Sequence, residues 1–544
     1  MKLLYNAKIY TLDPEHPTGS AILIDNDHVR VVVDDAGSLL ELERNVEKVD
    51  MEGRILLPGL IDAHIHLKSY ATGLQKIDCE TSTLAACLDR VAGRARNTPP
   101  GEWILGHGWN QNEWGGSFPT VTDLDTVAPD QPVYLTAKSM HSAWVNTLAL
   151  RLAGVTTETS DPSCGTIGRD ERGNPTGILL EAAVQLVARF IPKPAVEQIA
   201  HAISSAQSSL WQMGLTSVHD FDQRDSFSAL QILHERGELG LRVIKSISLD
   251  ELPGAVGVGL RTGFGDDFLR IGSVKVFADG ALGPHTAAML QPYEGEPAAQ
   301  GMLMLDAEDL FERGRPAVEN GLSLAVHAIG DRANHEVLNA YGQLRKVESA
   351  IEHSSIHEHS SIHEQSSIHT PLRHRIEHVQ LLHPQDVSRL AEMGIIASMQ
   401  PIHATSDMLM ADRYWGARSA LGYAWRAQLD QGATLAFGSD APVESPNPFW
   451  GIHAAVTRCR ADGSPGPDGW YPAQRLTVWE ALRAYTYGAA YAAGMEDRLG
   501  RLASGCLADL LVLDVNPFTC EPGQLRDIHP LATMVAGKWA LREV

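Results

Sequence analysis

The pair His64-x-His66 ends the apolar run Leu56-Leu57-Pro58-Gly59-Leu60-Ile61-Asp62-Ala63. In a strand, residues i and i+2 project to the same side, so two imidazoles at this spacing can reach one cation. Neutral imidazole suits Zn²⁺ and other borderline metals. The spacing alone is weak evidence, since His357-x-His359 repeats it in a polar stretch. Lys275 lies inside Ser273-Val274-Lys275-Val276-Phe277-Ala278-Asp279. A lysine in a buried strand is seldom left unpaired, and its ammonium has donors only. Two readings stand: an ion pair with a carboxylate such as Asp279 or Asp220, or addition of CO2 to the amine. The carbamate so formed is an anion whose two oxygens could bridge two metal ions. Three single candidates follow: His327 in Ala325-Val326-His327, His378 in Ile376-Glu377-His378, and Asp440 in Gly438-Ser439-Asp440.

These residues need a scaffold that gathers them. Short apolar segments at 55–66, 215–220, 242–250, 271–279, 322–327, 375–381, 395–400 and 434–440 each run into polar residues, and helical stretches separate them. Eight strands alternating with helices predict an α/β fold, a (β/α)8 TIM barrel with a parallel sheet. Catalytic groups of such barrels come from the C-terminal strand ends. Four histidines, one lysine and one aspartate all fall there, and chance seldom gathers every metal-ligand type on one rim.

The rest of the chain divides around this barrel, expected over 56–67 plus 215–494. Residues 1–55 and 495–544 read as short strands between turn signals, predicting a small β-sandwich built from both termini. Residues 68–214 are too long for a βα connection and predict an inserted lid lobe over the barrel mouth. It carries Trp103, His107, Trp109, Asn110, Trp114, His141, Trp144 and Asn146. Trp109, Trp114 and Trp144 fit either an aromatic substrate group or the lobe's own packing. Residues 353–370 hold three copies of a six-residue His-rich unit, too short for a solenoid and expected as a surface loop. Such a tract can bind metal or be a loop expansion without a role.

The chain has 44 Lys and Arg against 67 Asp and Glu, a net charge of −23, and 44% hydrophobic residues. This argues against a disordered chain, nucleic-acid binding and anionic membranes. Cys79, Cys87, Cys164, Cys459, Cys506 and Cys520 are scattered without a CxxC, so a reducing compartment is expected. No signal-peptide pattern or membrane span is read, and the expectation is a cytoplasmic protein. A homo-oligomer stays open.

Taken together, the motifs LPGLIDAHIHL, ILGHGWNQNEW, KSMHSAWVNTLAL, GTIGRDERGNPTGILLE, VKVFADGALG, AVHAIGDRAN, RIEHVQLL, SMQPIH, FGSDAPVESPNP and LASGCLADLLVLDVNP resemble the amidohydrolase superfamily, most of all its family-three (amidohydrolase 3) branch. The resemblance covers nearly the whole chain outside the His-rich repeat. It implies His64, His66, His327 and His378 as metal ligands, Lys275 as a carbamylated bridge, and Asp440 as ligand and proton shuttle. It implies His141 as a substrate-pocket residue that would help hold a developing oxyanion. The cofactor implied is a divalent metal, zinc first, as one or two ions. Asn110 stands where the family pattern often has Asp. The implied reaction is hydrolysis of a non-peptide, amide-type carbon–nitrogen bond of a small molecule by metal-activated hydroxide. The alternatives are a hydrolytic deaminase of a heterocyclic amine and a non-catalytic metal-binding scaffold. Against the deaminase, His327 is followed by Ala328-Ile329-Gly330-Asp331 and not by the His-x-x-Glu of such enzymes.

Overall fold

A computed structural model describes residues 1–42, 46–137, 142–163, 165–358 and 371–542. Its centre is an eight-stranded parallel sheet: β1 (Leu60–Ile65), β2 (Leu215–Asp220), β3 (Arg242–Ser248), β4 (Leu269–Phe277), β5 (Leu324–Ala328), β6 (Arg375–His378), β7 (Ile396–Met399) and β8 (Leu435–Phe437). Neighbours pair in sequence order, and a parallel bridge between Ile65 and Ala441 joins the two edges. The sheet is thus a (β/α)8 barrel. Every residue of β1, β2, β5, β6, β7 and β8 is buried, which is why these segments read as unbroken apolar runs and not as alternating ones. The covering helices show the complementary pattern. In Ala307–Glu319 the buried residues Leu310, Gly314, Ala317 and Val318 form one face, and Asp306 caps the N-terminus.

The expected strand 55–66 is two strands. Ile55–Pro58 pairs with Leu510–Leu513 and Lys8–Tyr10, and the chain then enters the barrel as β1. Ile55–Pro58 therefore belongs to a six-stranded sheet that interleaves strands from both chain ends. A second, four-stranded sheet uses Lys2–Tyr5, Ala21–Asp25, His28–Val33 and Glu47–Asp50. Leu4, Ile22 and Ile24 of this sheet share one core with Leu56, Leu510, Val512 and Met534 of the other. The last hairpin turns through Ala536 and Gly537, both at positive φ, as a tight two-residue hairpin turn requires.

The described residues fall into two compact units, 71–202 and the remainder. The 71–202 unit has its own six-stranded sheet, ordered Gly165–Arg169, Pro175–Glu181, Ser142–Val145, Val133–Ala137, Ile104–Trp109 and Ile77–Asp78. Trp109 and Trp144 are fully buried in its core, and both indole N–H groups reach backbone carbonyls, of Leu135 and Thr120. Trp114 packs against both rings. Of the two roles the sequence allowed these tryptophans, the lobe's own packing is the one observed. Asn146 is spent structurally as well: its side chain caps Thr147–Leu152 and bonds three further backbone groups.

The helix Asp331–Glu358 extends through the first copy of the His-rich unit, where a loop had been expected from residue 353. That copy holds no glycine or proline to stop a helix. Residues 359–370 lie outside the described residues, and so does Cys164. Cys79, Cys87, Cys459, Cys506 and Cys520 are free thiols. Among the described residues no helix is long and apolar enough to cross a membrane.

One buried ion pair joins the terminal sheet to the barrel. Arg242 of β3 donates from Nε and Nη2 to the two carboxylate oxygens of Asp509 at 2.7 and 2.9 Å, and both side chains are almost wholly buried. Asp509 also accepts the Ala536 N–H at 2.8 Å. Removing one partner of such a pair strands the other charge away from water. Asp509→Ala should therefore cost about 3–5 kcal/mol, read from the urea unfolding midpoint. A loss below about 1 kcal/mol would show that the pair does not tie the two parts together.

Candidate metal centre

The C-terminal ends of β1, β4, β5 and β6, with the chain just after β8, carry the predicted residues. Among the described residues, two groupings of side chains have ligand atoms within 4.8 Å of one another: His64, His66 and Asp440, and His378, His403 and Asp440. Asp440 Oδ1 lies 3.5 Å from His64 Nε2 and 3.3 Å from His66 Nε2, and its Oδ2 lies 3.9 Å from His403 Nε2. Asp440 is thus common to both groups. The rings of His64 and His378 are 5.1 Å apart, and those of His327 and His378 4.5 Å. His327 stands beside the groups and not within them, since its Nε2 meets the Gly280 carbonyl at 2.9 Å. His141 lies outside the described residues.

Local backbone explains how these side chains converge. The Asp440 N–H donates to the His64 carbonyl at 2.7 Å, and the His66 N–H to that of Ala441 at 2.9 Å, so closure of the barrel itself brings β1 to Asp440. Gly438 allows this approach: a Cβ there would sit 2.4 Å from the His64 nitrogen. Asp62 fastens the same corner, accepting from the backbone N–H of His64 and Ser439 and from the Ser439 hydroxyl. Asp440 and His378 both have positive φ, 59° and 76°. Backbone in this region costs about 1–3 kcal/mol per residue unless its surroundings enforce it. At His378 it has a consequence. Regular alternation would send Glu377 and His378 to opposite faces, yet both reach His64.

A buried network holds the first imidazole. His64 Nδ1 lies 2.5 Å from Glu377 Oε2. Glu377 is fully buried, takes the Arg375 guanidinium, and accepts the Ser398 hydroxyl at 2.7 Å. This pairing directs His64 Nε2 to the cluster, where it has no hydrogen-bond partner among the described residues. His403 Nε2 is buried and likewise unpartnered among them. His378 Nδ1 is fixed by Gln400 Oε1 at 2.8 Å. Unmet buried nitrogens beside a carboxylate are what a resident cation would satisfy, so the donor set fits a divalent metal.

Charge follows burial. Desolvation pushes His64 down to about 4, with the Lys275 charge adding to it, and pushes His327 down to about 3 for the same two reasons. Burial and neighbouring His327 hold His378 well below the usual imidazole range. These rings are neutral at pH 7, as ligation demands. For Asp440, burial works against ionisation, but His64, His66, His378 and His403 outweigh it and hold the carboxyl well below its usual range. His66 is the exception. Burial opposes its charge, yet Asp222 and Asp440 push it up to about 9. A cation at Asp440 would have to displace that proton.

Lys275 settles one sequence alternative. Asp220 pairs with Lys245 at 3.1 Å, and Asp279 accepts the backbone N–H groups of Ala288, Ile329 and Gly330. Neither carboxylate holds Lys275. Its Nζ instead lies 4.8 Å from the Phe221 ring and 4.9 Å from the Phe277 ring, and desolvation pushes the ammonium down to about 8. Beside it opens a cavity of about 630 Å³, lined by His66, Asp222, Lys275, Phe277, Met304 and Arg313 among others. That volume suits a small molecule.

His403, Glu377 and Asp62 went unassigned in the sequence. His403 lies just inside the helix Pro401–Trp415, three residues beyond Gln400 at the end of β7, so a search confined to strand ends passes over it. Glu377 had a detectable signal: Arg375-x-Glu377 places two charges on one face of a fully buried strand, which requires them to pair.

Comparison with known proteins agrees with this architecture. The amidohydrolase family model "Amidohydro_3" matches residues 47–540. YtcJ of Bacillus subtilis, which carries an amidohydrolase name, is 30% identical over 97% of each chain. The N-substituted formamide deformylase of Arthrobacter pascens is 28% identical over 98% of this chain and 97% of its own. A solved metal-dependent hydrolase from Pyrococcus furiosus, itself uncharacterized, superposes with a TM-score of 0.77 at 29% identity, covering 95% of this chain and all of its own. A barrel whose rim gathers histidines around a shared aspartate, matched along almost its entire length, identifies the chain as a member of the amidohydrolase family, whose enzymes are hydrolases.

Proposed function

We propose that this hydrolase cleaves a non-peptide, amide-type carbon–nitrogen bond of a small molecule, using a divalent metal held at the barrel rim. The observation that carries the reading is Asp440, shared by two triplets of ligand atoms in which His64 Nε2 and His403 Nε2 are buried and have no hydrogen-bond partner among the described residues. His64, His66, His378 and Asp440 would hold the metal, with His403 added to the set and His327 adjoining it. The imidazole-rich donors suit zinc, as one or two ions. A bound divalent cation supplies charge that polarises a carbonyl and makes a water acidic near neutral pH.

The chain's own residues do the rest. Lys275, desolvated and with no carboxylate ion pair among the described residues, has an amine that loses its proton more readily than a solvated lysine. Its Nζ adds to the carbon of CO2 with release of one proton, giving a carbamate with two ligand oxygens. Asp440, held ionised, accepts a proton from the attacking water at Oδ1 and returns it to the leaving nitrogen. Glu377 fixes the tautomer of His64 through Nδ1 so that Nε2 faces the metal. Phe277, Met304 and Leu305 give the cavity an apolar wall.

The full-length match to an N-substituted formamide deformylase makes N-formyl and N-acyl amines the first substrates to try. A turnover screen of formamides, N-acyl amines, carbamates, cyclic amides and heterocyclic amines, with Zn²⁺ or Mn²⁺ and bicarbonate, tests the reading. Amine release from an amide, abolished by chelator and restored by metal, is expected. Ammonia release from heterocyclic amines alone would instead make the protein a deaminase. Lys275→Ala should lower kcat about a hundredfold or more, with partial rescue by short carboxylic acids. Unchanged turnover in that variant would exclude a bridging carbamate. Glu377→Gln should weaken metal affinity about 10–100-fold by competition with a chromophoric chelator, and wild-type affinity would contradict its role.

A further inference from the structure

A second cavity, of about 310 Å³, shares no lining residue with the one beside Lys275. Three arginines, Arg460, Arg475 and Arg526, line it together with His453. No aspartate or glutamate is among the lining residues, although the chain carries 67 of them and a net charge of −23. Like charges gathered in one concavity repel unless something offsets them. Here no carboxylate in the cavity does so. Asp527 and Glu444 act on Arg526 at longer range, without an ion pair to it among the described residues.

The arginines are held in place by groups that leave donors to spare. Arg475 gives Nε to the Thr457 carbonyl at 3.0 Å and Nη2 to that of Pro467 at 2.6 Å, which leaves Nη1. Arg460 gives Nε to Thr405 and Nη2 to Ser406 carbonyls, which again leaves Nη1. The Arg526 side chain makes no hydrogen bond among the described residues, and its guanidinium lies 4.5 Å above the Trp450 ring, which fixes its plane. His453 is only 4% exposed, and its Nδ1 has no hydrogen-bond partner among the described residues. Guanidinium groups anchored through some nitrogens and open at others are what oxyanion recognition needs. Three of them around one space match a doubly charged group better than a single carboxylate.

We propose that this cavity, lined by Arg460, Arg475, Arg526 and His453, binds the phosphate group of a small molecule at a site separate from the metal centre. Its volume, at the lower end for ligand pockets, takes a phosphate with a short attached group.

Calorimetric titration of the metal-loaded, full-length protein at fixed ionic strength tests this, with inorganic phosphate, glycerol 3-phosphate and succinate as probes. Saturable one-to-one binding of a phosphate is expected, weakened about tenfold or more in Arg526→Gln and in Arg475→Gln. The Arg526→Gln variant should keep the wild-type melting temperature and wild-type metal content, which separates ligand loss from misfolding. Tighter binding of glycerol 3-phosphate than of phosphate assigns the site to a phosphate ester, and equal or weaker binding assigns it to free phosphate. Three results would overturn the proposal: no saturable binding up to about 10 mM, succinate binding tighter than either phosphate, or phosphate affinity unchanged in both variants. The last would place the bound phosphate elsewhere, at the metal centre for instance.

Discussion

A buried ring nitrogen without a partner among the described residues is the constraint around which this candidate site is built. His64 Nε2 and His403 Nε2 are both hidden from solvent and have no hydrogen-bond partner. Leaving such atoms unmet costs about 1–3 kcal/mol each. Their neighbours add to this: Lys275 faces two rings with no carboxylate paired to it among the described residues, and Asp440 is a buried carboxylate that the surrounding histidines hold ionised. A divalent cation would ease these costs together. It would occupy the unpartnered ring nitrogens and offset the charge on Asp440. The same features that make the cluster a poor folding element would suit it to a metal.

The barrel supplies the rigidity this requires. Closing the sheet at Ile65 and Ala441 sets β1 against the Asp440 loop through backbone hydrogen bonds, so the separation of His64 and Asp440 is fixed by the fold and not by side-chain choice. Asp62 and Gly438 then lock that corner, one by accepting three hydrogen bonds, the other by having no Cβ. The strained backbone at His378 and Asp440 persists because this network over-determines it. Below the rim, Arg375, Glu377 and Ser398 form a satisfied polar layer, which holds His64 in one orientation.

Much of this was legible in the sequence because buried parallel strands leave a plain mark. Apolar runs ending in polar residues marked the eight barrel strands, and their shared polarity at one end marked His64, His66, Lys275, His327, His378 and Asp440 as candidates. The marks that misled are equally physical. Ile55 to His66 is one apolar run in sequence but two strands in space, because both of its halves are buried in different sheets. The tryptophans of the 71–202 unit have the same sequence signature whether they line a pocket or fill a core, and only packing distinguishes these. His403 escaped because it projects from a helix, where a spacing rule for strands has no force. The coupling of Arg242 to Asp509 spans 267 residues and no local pattern could announce it.

The central claim is that side chains at the ends of β1 and β6 and from one helix surround a metal at Asp440, just after β8. X-ray diffraction from zinc-loaded crystals, measured on either side of the zinc absorption edge, tests it most directly. The account predicts an anomalous peak within coordination distance of Asp440 and of at least two of His64, His66, His378 and His403. A zinc-saturated protein with no peak there, or with its only peak in the His-rich segment 353–370, would contradict it.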